Sequence, residues 1–264
     1  DRGYQFADAV YEVIEVRDGL IDETRHLDRL DRSLNELQIA PPMSRAALRH
    51  VIREVVRRNL VTLGTVYLQI SRGQAPRDFV IPSPALRPTV VCLARQGSPQ
   101  RLDAAAERGI AVRSMPDIRW GRCDIKTVML LPACLAKTSV QAAGAKEAWL
   151  IDRDGFVTEG AASNAWIVTA AGELVTRATS PAILSGVTRR TAFDAAKREG
   201  LELVERAFTI EEAKIAREAF ITSASNTVMP VVEIDGTPIA DGRPGPVTRR
   251  LRKVFHQNAE RATI

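Results

Sequence analysis

The sequence predicts an α+β (α/β) protein made of two packed units, and three observations support this prediction. The chain has 264 residues, which is long for one domain and short for two large ones. Before residue 96, an alternating strand pattern is followed by two helical patterns and two further strands. After residue 101, short strands with glycine turns alternate with helices, and the hydrophobic share of 45% is enough to fill a core.

In the first half, the elements follow from the spacing of apolar residues. The stretch AVYEVIEV alternates apolar and polar residues and ends at Arg17-Asp18-Gly19, which predicts one strand of a hairpin. Leucines recur at helical spacing at positions 27, 30, 34 and 37, and Ser44 is expected to cap a second helix. Strands are then predicted at TVYLQIS and TVVCLAR.

The second half begins after residues 96–100, QGSPQ, which break all periodicity and are interpreted as a linker. Residues 126–143 predict a helix that is interrupted or started near Pro132. Thr209 and Glu212 form a capping-box pattern, and residues 247–258 predict a terminal helix. Another helix is expected at VTRRTAFDAAKREG, and strands are expected at GIAVRSM, EAWLID, RDGFVTE, NAWIVTA, GELVT, EAFITSA and VVEIDG.

The composition argues against several classes of protein. The formal net charge is +5, but arginines alternate with acidic residues, as in RHLDRLDRS, which is typical of a solvated helix face rather than a nucleic-acid surface. Three cysteines without CxxC spacing and three scattered histidines predict neither a disulfide framework nor a metal site. No membrane span and no signal peptide is expected, and a cytoplasmic location is predicted. The chain opens without Met, so an N-terminal piece is expected to be missing.

Two residues are candidates for catalysis because of their apolar surroundings. Lys126 precedes the apolar run VMLLPACLA, where an unpaired ammonium is costly to bury; a lowered pKa or a covalent link to an aldehyde resolves this cost. The alternative is a lysine that reaches water at a helix start. Glu159 ends a strand-like run before Gly160, which suits a recessed ligand position, while the alternative is an ordinary turn glutamate.

Anion-binding candidates form a second group. Residues 185–188, SGVT, precede a helix, where free N–H groups and a glycine without a side chain favour a phosphate. The alternative is a plain helix start, since Ser and Thr cap many helices. The guanidinium groups of Arg29 and Arg77 suit a phosphate or a carboxylate, although each is equally compatible with a surface position.

Taken together, these segments resemble the fold-type IV pyridoxal-phosphate enzymes, and most closely the D-amino acid aminotransferases. The matching stretches appear in family order and run nearly end to end: DRGYQFADAVYEV, RHLDRL, SRGQAPR, DIRWGRCDIKTVMLL, VTEGAASNAWIV, ILSGVTR and ITSASNTVMPV. The resemblance implies a small N-terminal α/β sandwich at 1–95, a linker at 96–101, and a larger β-barrel-like domain with flanking helices at 102–264. It also implies a homodimer with no nucleic acid and no membrane as partner.

The resemblance further assigns roles to residues. Lys126 is the expected catalytic residue, which holds pyridoxal 5'-phosphate covalently and moves the proton. Tyr11, Arg77 and Phe79 are expected on the substrate side, with Arg77 receiving the α-carboxylate across the dimer interface. The remaining expected cofactor contacts are Arg29, Glu159, Leu184, Gly186, Val187, Thr188, Ser223, Ala224 and Ser225.

The implied reaction moves the amino group of a D-amino acid, such as D-alanine or D-glutamate, to 2-oxoglutarate or pyruvate. Three departures matter: Phe79 stands where many members carry His, Ala224 stands where Thr is common, and Ala162 stands where Ser is frequent after the Glu159-Gly160 motif. The looser carboxylate site predicts that some (R)-primary amines are also accepted. The alternatives are a branched-chain L-amino acid aminotransferase, an aminodeoxychorismate lyase, an (R)-amine transaminase and, more remotely, a non-catalytic binding protein.

Overall fold

The computed structural model describes residues 1–264. The helices are α1 Arg2–Phe6, α2 Glu23–Glu36, α3 Arg45–Arg58, α4 Pro99–Arg108, α5 Leu131–Ala142, α6 Val187–Arg198, α7 Ile210–Lys214 and α8 Pro246–Asn258. The strands are β1 Ala9–Arg17, β2 Leu20–Ile21, β3 Leu63–Ser71, β4 Thr89–Gln96, β5 Ile110–Pro116, β6 Glu147–Ile151, β7 Val157–Gly160, β8 Asn164–Val168, β9 Leu174–Thr176, β10 Leu203–Glu205, β11 Glu218–Ser223, β12 Thr227–Ile234, β13 Thr237–Pro238 and β14 Arg261–Ala262.

Two compact units make up the chain. The first unit contains Asp1–Ser98, Ile125–Leu130 and Glu260–Ile264, and the second contains Pro99–Asp124 and Leu131–Ala259. The division at 98/99 falls within the predicted linker. The first unit also takes in two later segments, because β14 pairs with β2 and Thr127 forms a β-bridge with Val10.

The first unit is a five-stranded sheet in the order β14-β2-β1-β3-β4. The predicted hairpin turn is present, with Asp18 at φ 49° and Gly19 at φ 145°, a backbone region that favours glycine. Helix α2 buries Leu27, Leu30 and Leu34, which confirms the helical spacing of these leucines. Ser44 caps α3 by accepting from the N–H of Ala47, as predicted.

The second unit is a nine-stranded mixed sheet with helices α4–α8. Its path is β10-β9-β8-β11-β12-β5-β6-β7, and β13 pairs with β12. The pairs β5–β6, β5–β12 and β9–β10 are parallel, and the other pairs are antiparallel. A buried apolar cluster built around Trp149, Phe208, Ile167 and Ile221 fills this unit. The alternation of short strands and helices expected from the sequence is therefore confirmed.

One element differs from the sequence-based predictions, because helix α4 begins at Pro99, inside the predicted linker. The helix predicted within 126–143, interrupted or started near Pro132, spans Leu131–Ala142, so the start near Pro132 is confirmed. The backbone before it bonds to strand β1, where Val128 N–H donates to Ala9 C=O. Thr209 caps α7 by accepting from the N–H of Glu212, which matches the predicted capping pattern. None of the helices combines the length and the apolar character needed to span a bilayer.

Candidate active site

Lys126 belongs to the first unit and is fixed there by its backbone. Its carbonyl accepts from the N–H of Tyr11 at 2.9 Å, and its neighbour Thr127 forms a β-bridge with Val10. The sequence-based prediction that Lys126 stands at a helix entry is therefore wrong, since the segment runs alongside β1 in extended pairing. A strand-anchored backbone gives the lysine a defined direction, as a catalytic group requires.

The Lys126 side chain contacts an aromatic ring instead of an acid. Its Nζ lies 4.1 Å from the centroid of the Tyr11 ring, and it forms no ion pair. Tyr11 in turn packs against Tyr67, with ring centroids 5.6 Å apart. Lys126 is half-buried, and the hydrogen-bonding capacity of its amine stays available. An available amine is typical of a nucleophile, whereas a structural cation is usually paired with an acid.

Arg29 is held in a buried network that sequence reasoning missed. Its Nε and Nη2 donate to the two carboxylate oxygens of Glu12 at 2.8 and 2.7 Å. His26 Nδ1 lies 2.7 Å from Glu12 Oε2. The sequence did carry a signal, because Glu12 occupies the same face of the alternating strand as Val10 and Ile14 and all three are fully buried.

This network fixes the charge states of its members. Burial raises the pKa of Glu12, but Arg29 and His26 outweigh burial and lower that pKa to about 2. Burial lowers the pKa of His26, and the charges of Arg29 and Lys126 lower it further. The hydrogen bond and the charge of Glu12 act to raise this pKa, but they are outweighed. Glu12 is therefore an anion and His26 is neutral at pH 7, so the Glu12–Arg29 pair is the main charge pair here.

Arg77 and Phe79 lie in an irregular segment after β3, and both side chains are exposed. The Arg77 guanidinium carbon lies 5.2 Å from the Phe6 ring centroid and 5.6 Å from the Phe79 ring centroid. The structure thus groups Tyr11 with Lys126, and it groups Arg77 with Phe79 and an aromatic residue of α1.

Glu159 lies in the second unit, near the end of β7, and is 4% exposed. Its carboxylate accepts from Arg119 Nη1 at 2.5 Å and from Asn164 Nδ2 at 2.9 Å. The backbone N–H of Leu184 also donates to both of its oxygens, at 3.1 Å each. A buried carboxylate with this many donors is held in one orientation, so it is not the turn glutamate of the alternative interpretation.

Arg119 is the charge partner that makes this burial tolerable. It also pairs with Asp117, through Nη2 to Oδ2 at 2.7 Å, and donates to the carbonyl of Ala182 at 3.2 Å. Burial lowers the pKa of Arg119, but Asp117 and Glu159 outweigh it, so the pKa is raised and the group stays charged. The stretches DIRWGRCDIKTVMLL and VTEGAASNAWIV contain Arg119 and Asn164, but the sequence predicts no role for either residue.

The start of α6 has the features of an anion site. Helix α6 has Gly186 as its N-cap residue, without a capping side chain, and has no acidic residue in its first turn. Val187 and Thr188 are buried at its first two positions. A side chain at Gly186 would overlap Asn164 Oδ1, so the close packing of Asn164 also requires glycine here. The uncapped N–H groups and the helix dipole fit a phosphate.

The last predicted cofactor contacts lie where β11 ends. The hydroxyls of Ser223 and Ser225 are 3.4 Å apart, and Asn226 Nδ2 donates to Ser223 Oγ at 3.2 Å. Ala224, between them, offers no polar group. Within the second unit the predicted contacts are thus hydroxyls, a helix N-terminus and a fixed carboxylate; within the first unit they are an amine and a guanidinium.

The comparison with known proteins gives the class that this fold and these groups define. The chain belongs to the class IV amino-transferase family, whose model matches residues 9–234. A D-alanine aminotransferase of Listeria monocytogenes is 38% identical over 264 residues, which cover 99% of this chain and 90% of that protein. A D-alanine aminotransferase of Staphylococcus haemolyticus is 38% identical over 261 residues, which cover 98% of this chain and 91% of that protein.

A solved relative confirms the predicted fold type. The crystal structure of the branched-chain amino acid aminotransferase of Escherichia coli superimposes with a TM-score of 0.88 and 26% identity. The match covers 97% of this chain and 87% of that chain. The roles assigned to individual residues in this chain stay predictions.

Proposed function

We propose that this chain transfers the amino group of D-amino acids, such as D-alanine and D-glutamate, to 2-oxoglutarate or pyruvate, with pyridoxal 5'-phosphate as cofactor. The observation that carries the proposal is the Lys126 amine, which is fixed through its backbone to β1 and forms no ion pair. The match to D-alanine aminotransferases over nearly the whole chain supports the choice of substrate.

The residues present fit the cofactor. Lys126 would hold its aldehyde carbon, Glu159 would face the pyridine nitrogen, and Leu184 would pack against the ring. The phosphate would be bound by Arg29, by the α6 start at Gly186, Val187 and Thr188, and by the turn at Ser223, Ala224 and Ser225. The features that support this fit are the uncapped helix N–H groups and a buried carboxylate that is paired with Arg119.

When bound, pyridoxal phosphate supplies an electron-withdrawing ring that stabilises negative charge on the substrate Cα. The Glu159 carboxylate, which is paired with Arg119, would keep the pyridine nitrogen protonated. The Lys126 amine would take the proton from the substrate Cα and then donate it back, so that one group would act as base and then as acid. Stereochemistry would follow from the face that the Lys126 amine addresses and from the place where Arg77 fixes the α-carboxylate.

On the substrate side, Arg77 binds the α-carboxylate and Tyr11 borders the substrate. We propose a homodimer in which Arg77 of one protomer serves the other protomer. The exposed Arg77 and the neighbouring exposed side chains of Phe79, Val80 and Ile81 support this arrangement, since a lone protomer leaves these apolar groups in water. The three free cysteines favour a reducing compartment, and we place the enzyme in the cytoplasm.

A second candidate function is branched-chain L-amino acid transamination, favoured by the structural match to the enzyme of Escherichia coli. D-alanine and L-leucine as amino donors, with the same acceptor, separate the two candidates. Aminodeoxychorismate lyase activity is tested by the release of pyruvate from aminodeoxychorismate. Activity with L-leucine alone would replace the proposed function by the second candidate.

The test uses the purified holoenzyme. Mixing with D-alanine should bleach the visible absorbance of the bound cofactor, and mixing with L-alanine should not. Borohydride reduction followed by peptide mass spectrometry should place the cofactor on Lys126. The Lys126→Ala variant should lose the label, and its turnover should fall at least about 10²-fold. Lys253→Ala, at an exposed position of α8, should keep the label on Lys126 and the turnover of the wild type. A label on another lysine would refute the assignment.

A further inference from the structure

The Arg77 guanidinium is held by aromatic faces alone. Its Cζ lies 5.2 Å from the centroid of Phe6 and 5.6 Å from that of Phe79. The two rings lie 5.6 Å apart and are tilted by 50°. No carboxylate or carbonyl accepts a hydrogen bond from Arg77, so its partners are the two rings.

Phe6 has a fixed place because a second arginine contacts it. The Arg2 guanidinium carbon lies 4.8 Å from the Phe6 centroid, and Arg2 is 3% exposed. Its Nε donates to Asp8 Oδ2 at 2.8 Å, and its Nη1 donates to the carbonyl of Asp78 at 2.6 Å. Arg2 therefore ties α1 to the segment that carries Arg77 and Phe79.

Contact with an aromatic ring leaves the arginine able to bind an anion. A cation–π contact occupies the face of the guanidinium, whereas a carboxylate binds to its N–H edge. An exposed arginine loses much side-chain entropy when it is fixed by a ligand. A ring that already restricts Arg77 lowers this loss, because fewer rotamers remain to be frozen out.

We propose that Phe6 is a positioning residue for the substrate carboxylate: with Phe79 it holds the face of Arg77, so that the N–H edge is presented to the α-carboxylate. The proposal rests on the proposed function, in which Arg77 binds that carboxylate. It gives a role to the first helix of the chain, and it explains how the site keeps its arginine oriented with Phe79 in place of a histidine.

The test compares a donor that has the carboxylate with one that lacks it. In the holoenzyme, Phe6→Leu should raise the KM for D-alanine by about threefold to tenfold, with kcat within about twofold, since the contact acts on binding. The KM for D-alaninol, which has no carboxylate, should stay unchanged. Phe6→Tyr keeps the aromatic face and should restore the wild-type KM for D-alanine.

Tyr4→Leu is the matched control, because Tyr4 lies on the same helix and is 95% exposed. It should leave both KM values unchanged. An equal rise for both donors in Phe6→Leu, or the same rise in Tyr4→Leu, would show a merely structural effect and overturn the proposal. Thermal unfolding of each variant shows whether the fold is kept.

A binding measurement separates this proposal from the proposed function. Calorimetric titration of the holoenzyme with propionate, a carboxylate without an amine, should give a Kd that Phe6→Leu and Arg77→Leu both raise and Tyr4→Leu does not. If the wild-type enzyme fails to convert D-alanine but its propionate binding depends on Phe6 and Arg77 as expected, the proposed function is refuted and the role of Phe6 in binding a carboxylate is kept. Propionate binding that is absent, or insensitive to Phe6→Leu, refutes the role of Phe6.

Discussion

Arg119 donates from Nη1 to Glu159 Oε1 at 2.5 Å, and the two side chains are 14% and 6% exposed. Arg119 belongs to the irregular segment after β5, while Glu159 lies on β7, so the pair joins two parts of the second unit. The ion pair keeps a buried carboxylate charged, which is the property that a partner of a protonated pyridine nitrogen requires.

Loss of this pair should destabilise the protein strongly. In Arg119→Met, the Glu159 charge remains buried without its cation, and we expect the free energy of unfolding to fall by about 3–5 kcal/mol. Urea denaturation measures this change. Arg122→Met is the control, because Arg122 is 43% exposed and its pair with Asp124 is screened by solvent, so that a loss under about 1 kcal/mol is expected. Similar losses in both variants would contradict this account.

The acid stability of the protein should depend on Glu12. Its pKa is lowered to about 2 from 4.5, so the folded state releases this proton more readily than the unfolded chain does. The resulting stabilisation is complete above about pH 4.5 and is lost as the pH falls toward 2, on the order of 3 kcal/mol in total. In Glu12→Gln, this part of the pH dependence should disappear from urea unfolding measured between pH 2 and 5.

Glu54→Gln is the control for that experiment. The pKa of Glu54 is also lowered to about 2, by hydrogen bonds from Arg57 and Arg58, but Glu54 lies at the surface. Solvent screens such pairs, so this variant should keep the pH dependence of the wild type. An acid profile altered by Glu54→Gln and not by Glu12→Gln would show that burial is not the decisive factor.

The sequence predicted most elements because periodicity reports which side of a strand or helix is buried. It also predicted Glu159 and Lys126 as candidate site residues, because both lie next to apolar runs. It could not predict that Lys126 lies in strand-like pairing, since the partner Tyr11 N–H is more than a hundred residues earlier. Arg119 was missed because a charge partner 40 residues away is chosen by three-dimensional packing and not by spacing in the chain. Asn164 lies close to Glu159 in the sequence, but spacing alone does not show that the turn between β7 and β8 brings its amide to the carboxylate.

Gly186 should tolerate no side chain. An added methyl group in Gly186→Ala would overlap Asn164 Oδ1, and Asn164 Nδ2 donates to both Glu159 and the Leu184 carbonyl. We expect a loss of about 1–3 kcal/mol of stability and weaker cofactor binding, measured by titration of absorbance. Gly121→Ala is the control, because nothing lies within 4 Å of the added atom. Unchanged cofactor affinity in Gly186→Ala would argue against a cofactor role for this helix start.

Phe79 should set the preference between amino acids and amines. Phe79→His adds a hydrogen-bond donor beside Arg77, and one bond to a carboxylate is worth about 1.5–3 kcal/mol. The ratio of kcat/KM for D-alanine over (R)-1-phenylethylamine should therefore rise at least about tenfold. Val80→His, at the next exposed position, should leave the ratio unchanged. A wild-type enzyme that gives no turnover of (R)-1-phenylethylamine would refute the predicted acceptance of amines.

The segment Ile125–Leu130 belongs to the first unit although its neighbours on both sides belong to the second. A gene fragment that ends at Ser98 would therefore encode a sheet without its lysine, and a fragment that starts at Pro99 would carry the lysine away from the strand that orients it. Exchange of the first unit between related enzymes must transfer three separate stretches of sequence, including the C-terminal strand β14. The Lys126 amine is thus transferred with the first unit only when all three stretches are moved together, and a chimera joined at a single point would lose its alignment with Tyr11.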